Sequence, residues 1–214
     1  MVNTTRAVGA RPFLFVGERA CVDFANTTLV DGGTAIDLLP GFDALVDWCE
    51  QAQLIAPVEA RDMRQRWSGS PEGAATHARA IALRAALRLA LERLAAGRSV
   101  PQTALDAINE VLALDASHRE VVRTRAGYET RQQRSLDTPD QLLPPVAASA
   151  AQLLSGDDPS LVKACQNPQC VLLFYDTTKN HARRWCSMAA CGNRAKVAAH
   201  YERARQPLRR RTAR

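Results

Sequence analysis

Apolar residues recur every three or four positions along most of this chain, the period of helices that bury one face. Residues 11–16 read as a short extended entry. Residues 18–28 read as a helix that turns Cys21, Phe24 and Ala25 inward, and Gly32-Gly33 marks a loop. Residues 41–54 form the next helical pattern, with Leu45, Trp48 and Cys49 on one face. Pro57 suits the first turn of a further helix running to about Trp67, and Ser68-Gly69-Ser70-Pro71 interrupts it. The longest helix is expected over residues 72–97. Leu83, Leu87, Leu91 and Leu94 form its apolar stripe, Arg84, Arg88 and Glu92 a solvated stripe opposite, and Gly97 its end. Pro101 to Leu114 repeats the pattern through Leu105, Ile108 and Leu112.

The period then changes. Glu120 to Arg125 is rich in β-branched residues, Ala126-Gly127 can turn, and Tyr128 to Gln133 can return, so a β-hairpin is expected. Helical spacing resumes over residues 139–154 with Leu142, Leu143, Val146 and Leu153, and Ser155-Gly156-Asp157-Asp158-Pro159 forms a natural boundary. Beyond it, Val171 to Tyr175 reads as a strand, Thr177 to Asn180 as a turn, and Arg183-Arg184-Trp185 as the return strand of a second hairpin. Ser187 is a candidate N-cap for a last helix, whose Ala195 to Arg205 segment is rich in helix formers.

Composition supports a helical protein. Of the 214 residues 46% are hydrophobic and only 5% aromatic, so Ala, Leu and Val must build the core. No stretch approaches the roughly 20 apolar residues of a membrane span, and the four-residue run Phe13 to Val16 is too short for a signal-peptide core. No membrane partner and a cytoplasmic location are expected. Charge is segregated: residues 161–214 hold twelve Lys/Arg against two Asp/Glu, and residues 1–160 hold sixteen against twenty. A cationic C-terminal part beside a mildly acidic larger part points to a polyanionic partner.

Four of the six cysteines fall between residues 165 and 191, spaced C-x4-C-x15-C-x4-C: Cys165, Cys170, Cys186 and Cys191. Close pairs of this kind bring two thiolates to one ion from one turn. Zinc fits best, because thiolates are soft ligands and four of them close a tetrahedral sphere. Two disulfides would require an oxidising compartment, and the spacing matches neither common ferredoxin pattern. A segment this short cannot bury enough apolar surface to fold unaided, whereas zinc contributes about 10–16 kcal/mol in finger peptides. One structural Zn2+ is expected, with no open position for catalysis. Cys21 and Cys49 stand alone among apolar neighbours and read as buried small hydrophobes.

The second pair lies within Arg184-Trp185-Cys186-Ser187-Met188-Ala189-Ala190-Cys191-Gly192-Asn193-Arg194, which resembles the signature of the bacterial CGNR zinc-finger proteins. Near the other end, Cys21-Val22-Asp23-Phe24-Ala25-Asn26-Thr27 is similar to the segment that opens the helical, ABATE-type domain of the same family, and Asp37-Leu38-Leu39 and the Trp48 helix resemble its following blocks. The resemblance implies a regulator of transcription in stress. The element pattern and the resemblance give a fold that is mainly α with a small β-hairpin: a helical N-terminal domain (1–158), a small treble-clef-like zinc finger (159–206) and a basic tail (207–214) expected to be disordered without a partner. Within the signature, Gly192 is expected to permit close packing beside the metal and Asn193 to bond the knuckle backbone. Arg194 is expected to pair with the main chain or Asp176, while Gln166 to Gln169 carry little weight.

Two functional classes follow. In the first, the finger contacts nucleic acid, DNA ahead of RNA, through Arg183, Arg184, Arg194, Lys196, His200, Arg203, Arg205 and Arg209, of which Lys196, His200 and Arg203 share one helix face. In the second, the helical domain is a sensor of a small molecule or protein and the finger is a docking module. Asp23, Asn26 and Trp48 are then the candidate pocket, against the plainer reading of local hydrogen bonding and core packing. A homodimer is left open. No histidine of the four lies in a catalytic motif, although His181 could substitute for a thiolate, and no phosphate loop or nucleophile elbow is present, so the chain is not expected to be an enzyme.

Overall fold

The computed structural model describes residues 13–31, 33–198 and 200–201. Helix α1 (Ala20–Ala25) leads into a hairpin of β1 (Thr28–Asp31) and β2 (Thr34–Asp37). Helices α2 (Phe42–Gln51), α3 (Pro57–Trp67), α4 (Pro71–Ala95) and α5 (Gln102–Leu112) follow. A second hairpin, β3 (His118–Thr124) with β4 (Gly127–Gln133), precedes α6 (Pro144–Ser155). The chain then enters β5 (Val162–Ala164) and β6 (Leu173–Tyr175), an antiparallel pair. It closes with a π-helical turn (Met188–Gly192) that continues as α-helix over residues 193–198 and 200–201.

Local chemistry explains the helix boundaries. Ser70 accepts the Gly73 amide at 2.9 Å and Pro71 occupies the first turn of α4, so the 25-residue helix starts there. At its far end Gly97 takes φ +66° and the Arg98 amide bonds back to the Arg93 carbonyl, a left-handed stop. Pro57 opens α3, and the Glu59 carboxylate reaches back to the Ala56 amide at 2.6 Å.

Helix α4 runs against the core, burying Ala80, Leu83, Leu87, Ala90 and Leu91. The same core holds Phe24, Leu45, Trp48, Met63, Leu143, Val146 and Leu153. Trp48 is fully buried and meets Phe24 edge-on at 4.8 Å. Cys21 and Cys49 are buried here too, and desolvation pushes their thiols up to about 11 and about 12.

Three expectations change. Residues 28–37, expected as helix end and loop, form a hairpin. Arg84 is not on a solvated face: its guanidinium is buried and grips both Asp37 oxygens at 2.6 Å, with Thr27 Oγ1 at 3.2 Å. That fork holds the Asp37 carboxyl below the usual carboxylate range and pins the β1–β2 hairpin to α4. The third change concerns the finger. Residues 171–175 and 183–185 do not pair with each other. β6 pairs instead with β5, which precedes the first cysteine, in the register Val162↔Tyr175, Lys163↔Phe174, Ala164↔Leu173. The first cysteine pair therefore lies in the connection between these strands.

Strand β6 is buried on both faces. Leu173 and Tyr175 point into the helical core with Val162, while Phe174 points to the cysteine cluster together with Leu172. Leu14, Val16 and Leu29 also pack on the cysteine side. Asn26, just past α1, bonds the Leu173 main chain in both directions: Nδ2 donates to the carbonyl at 2.8 Å and Oδ1 accepts the amide at 3.0 Å. The Tyr175 amide donates to the Gly17 carbonyl at 3.0 Å. Arg19 lies over the Tyr175 ring at 4.4 Å and pairs with Asp157 at 2.7 Å.

Replacing Asn26 by Ala leaves two buried main-chain groups of Leu173 unpaired, at ~1–3 kcal/mol each. Urea denaturation should show Asn26→Ala losing about 3 kcal/mol of stability, and Asn26→Asp losing at least as much because it cannot donate and buries a charge.

Candidate metal centre and its surroundings

The sulfurs of Cys165, Cys170, Cys186 and Cys191 all lie within 4.8 Å of one another. The Cys170–Cys186 and Cys186–Cys191 separations are 3.7 and 3.6 Å. Four thiolates at the usual 2.3 Å from one zinc ion stand about 3.8 Å apart at tetrahedral corners, so the sulfurs fit that ion. Their protonation chemistry also calls for a cation. A sulfhydryl bond from Cys186, with lesser support from the Leu172 amide and the Cys165 and Cys191 sulfhydryls, outweighs burial and holds the Cys170 thiol down to about 5. The hydrogen bond to Cys170, then burial, push Cys186 well above the usual thiol range, and burial raises Cys165. One dication satisfies all four as thiolates. Four such ligands leave no position for water, so the zinc is structural.

Surrounding donors orient the sulfurs. The Cys186 amide lies 3.4 Å from Cys165 Sγ. Asn167 Nδ2 donates to Cys191 Sγ at 3.2 Å, and Arg194 Nη2 lies 3.6 Å from the same sulfur. Asn167 also shapes the first knuckle, accepting the Gln169 amide on Oδ1 at 3.1 Å and the Cys170 amide on its carbonyl at 2.8 Å. In sequence, residues 166–169 carry little weight. Asn167 is instead a second-layer partner of the metal site, and its one sequence signal is an Asx residue between paired cysteines. Asn193 donates to the Ala189 carbonyl at 3.3 Å, within the second knuckle. A Cβ on Gly192 would come within 2.7 Å of the Met188 sulfur, a contact the exposed thioether can relieve, and within 3.3 Å of the Trp185 ring.

Asp176 fixes the connector. It is fully buried and accepts from Lys163 Nζ at 2.6 Å, from the Thr178 hydroxyl at 2.6 Å and amide at 3.0 Å, and from the Arg183 amide at 3.0 Å. Burial alone would raise its pKa, but these donors outweigh it and hold the carboxyl far below the usual range. Arg194 does not reach Asp176; it faces the Cys191 sulfur. His181 stands outside the sulfur cluster, with Nδ1 at 3.3 Å from the Asp176 carbonyl oxygen.

The candidate nucleic-acid residues divide. Arg183 does not project outward. Its side chain is 17% exposed, lies over the Phe174 ring at 4.4 Å, pairs with Glu18 at 3.0 Å, and donates to the carbonyls of Val16 and Cys186 at 2.8 and 2.6 Å. It clamps the finger to the entry segment, whose Gly17–Glu18 turn is tight: Glu18 takes φ +66°, and a Cβ on Gly17 would meet Val22 at 2.7 Å. Arg184 is exposed and stacks at 5.1 Å on the half-buried Trp185. Arg194, Lys196 and His200 are exposed on the closing helix. Arg203, Arg205, Arg209 and the tail 207–214 lie outside the described residues.

A family model described as CGNR zinc finger matches residues 162–204, and one described as putative stress-induced transcription regulator matches residues 18–157, more than half of the chain. The chain belongs to this family of putative stress-induced transcription regulators. No curated protein matches it. Among the described residues no helix is long and apolar enough to cross a membrane.

In this family member the three candidate pocket residues do not line a pocket. Asn26 is 1% exposed and spent on Leu173, Trp48 is enclosed in the core, and Asp23 accepts the Gly17 amide at 2.7 Å. They hold the entry segment and α1 against the finger. An open cleft of about 300 Å³ lies elsewhere, between the foot of the β3–β4 hairpin and α6, lined by Asp115, Ser117, Gln132, Arg134 and Pro145 among others.

Two predictions follow from the centre. The purified regulator should contain one zinc per chain, and Cys186→Ser should lose it. Because β6 belongs to both cores, chelation should lower the melting temperature of the helical signal in circular dichroism as well as that of the finger. Separately, burial raises the Asp23 carboxyl to about 6, against about 3.9 in the unfolded chain. Between these values the native state holds a proton that the unfolded state has released, so this group makes stability fall as pH rises from about 4 to about 6. Asp23→Asn, which keeps an oxygen for Gly17, should remove that slope from the difference between the two stability–pH curves.

Proposed function

We propose that the protein is a cytoplasmic, zinc-dependent nucleic-acid-binding regulator that contacts DNA through the cationic surface of its finger. The observation that carries this reading is the exposed closing helix. Lys196 and His200 lie on one face of it, Arg194 is in its first turn, and Arg184 is exposed on the segment before it. The two carboxylates of residues 161–214 are Asp176 and Glu202, and Asp176 is consumed internally, so little negative charge opposes these cations. Arg203, Arg205 and Arg209 continue the basic run in sequence. Guanidinium and ammonium groups at this density suit phosphate contacts that release counterions. The family description supports the regulatory part, and four cysteines gathered as metal thiolates, with Cys21 and Cys49 buried apart as thiols, suit a reducing compartment.

A second reading has its own support. Met188, Val197 and Tyr201 are 54%, 55% and 64% exposed on the same turn and helix, an apolar group suited to docking on a protein. Anisotropy with labelled DNA duplex separates the two. In the DNA reading, Lys196→Glu with Arg203→Glu weakens binding at least tenfold and flattens the slope of log affinity against log salt by about 2. In the docking reading the same variant leaves DNA affinity unchanged, and Val197→Glu abolishes capture of the partner protein.

A further inference from the structure

We infer that the β3–β4 hairpin is a second nucleic-acid contact, a two-stranded ribbon that lays one cationic face against the phosphates of a DNA duplex. The inference rests on the nucleic-acid reading above but concerns a surface remote in sequence from the finger.

Charge isolates the hairpin from its domain. Residues 117–134 carry five arginines and two glutamates, whereas the rest of residues 1–160 carries eleven arginines and eighteen acidic residues. A cationic element in an anionic domain has no general solubility purpose to explain its sign. The register sorts the charges further. Arg119 pairs with Gln132, Val121 with Thr130 and Arg123 with Tyr128, so these six side chains share one face, and all are exposed. Both glutamates, Glu120 and Glu129, fall on the opposite face, where Glu129 pairs with Arg131. The first face therefore presents arginine with no carboxylate. Arg125 is exposed at the turn, where Gly127 takes φ +131°.

The face is also prearranged. Arg123 donates to the Tyr128 hydroxyl at 3.1 Å and lies 5.5 Å from its ring centroid, leaving the other guanidinium donors free for phosphate oxygens. Val121 and Tyr128 are 72% and 70% exposed, although a strand of this composition ordinarily packs one face. Each strand has seven residues, about 24 Å at about 3.4 Å per residue, and a two-stranded ribbon is of a size that the major groove, about 12 Å wide, admits. The domain's negative charge disfavours approach of DNA elsewhere on it and so favours the ribbon as its point of contact.

The test uses full-length, zinc-loaded protein, a labelled random-sequence DNA duplex and anisotropy titrations over a range of salt. The variants are Arg119→Glu with Arg123→Glu, the milder Arg119→Gln with Arg123→Gln, and Lys196→Glu in the finger. The six side chains of this face are all exposed, so melting temperatures should match the wild type. The inference expects the Glu pair to lower affinity at least tenfold, and both pairs to flatten the salt slope by about 2. If both ribbon variants bind with wild-type affinity and slope while Lys196→Glu weakens binding, the ribbon inference is wrong and the finger reading stands. If the wild type fails to bind duplex even at low salt, both fall. If the ribbon variants instead abolish self-association with duplex affinity unchanged, the face is a protein interface and the inference is overturned.

Discussion

A three-residue strand, Leu173–Tyr175, is buried on both faces, and each face belongs to a different core. Leu173 and Tyr175 complete the helical core, and Phe174 roofs the cysteine cluster. A strand with both faces covered still has two edges of main-chain groups to satisfy. One edge pairs with β5. The other meets the Asn26 carboxamide and the Gly17 carbonyl, which act as a substitute strand. This arrangement couples the two halves thermodynamically. The metal cannot be lost without loosening the segment that carries Phe174, and that segment cannot loosen without exposing Leu173 and Tyr175. The break in sequence at residues 155–159 marks a change of composition, but the packing runs across it.

The second constraint is electrostatic. Four thiolates and one zinc ion leave a net charge of −2 in a partly enclosed site, so donors must surround it. The Cys186 amide, Asn167 and Arg194 point at sulfur. The finger's cations are thereby divided between two duties. Arg183 and Lys163 are used inward, on the Glu18 and Asp176 carboxylates and on main-chain carbonyls. Arg184, Lys196 and His200 remain outward. A count of basic residues cannot separate these groups, because Arg183 and Arg184 are neighbours of identical charge. What separates them is enclosure: Arg183 is surrounded by the Glu18 carboxylate and the Val16 and Cys186 carbonyls, whereas Arg184 lies on Trp185 and Gln166 at the surface.

That division also explains what the sequence could reveal. The cysteine spacing disclosed the metal centre because ligand geometry is local to each knuckle. Helices α2 to α6 were legible from their period, and the β3–β4 hairpin from its change of period around Ala126-Gly127. The β1–β2 hairpin was not, since its stability comes from Arg84, 47 positions beyond Asp37. Asn26 and Leu173 are 147 apart and Arg183 and Val16 are 167 apart, and no local pattern encodes such pairs. Arg84 and Arg183 were both expected in solvent for the same reason. Arginine is usually exposed, and its burial becomes visible only when the acceptors that enclose it have been placed.

The two stretches that carried the family resemblance, Cys21 to Thr27 and Arg184 to Arg194, lie at opposite ends of the chain, yet each is held by the other's surroundings. Asn26 takes the Leu173 main chain, Asp23 fixes the Gly17 amide, and the turn so formed offers Val16 and Glu18 to Arg183, the residue immediately before the signature. Polar residues at such positions read from sequence as a binding pocket, because Asp, Asn and Arg in proximity are what ligand sites use. In this fold the groups they recognise are stretches of their own backbone. Any rearrangement of α1 must therefore alter the support of the metal centre through these few hydrogen bonds. The seam between helical domain and finger is the place where the two can influence each other, and it requires no cavity to do so.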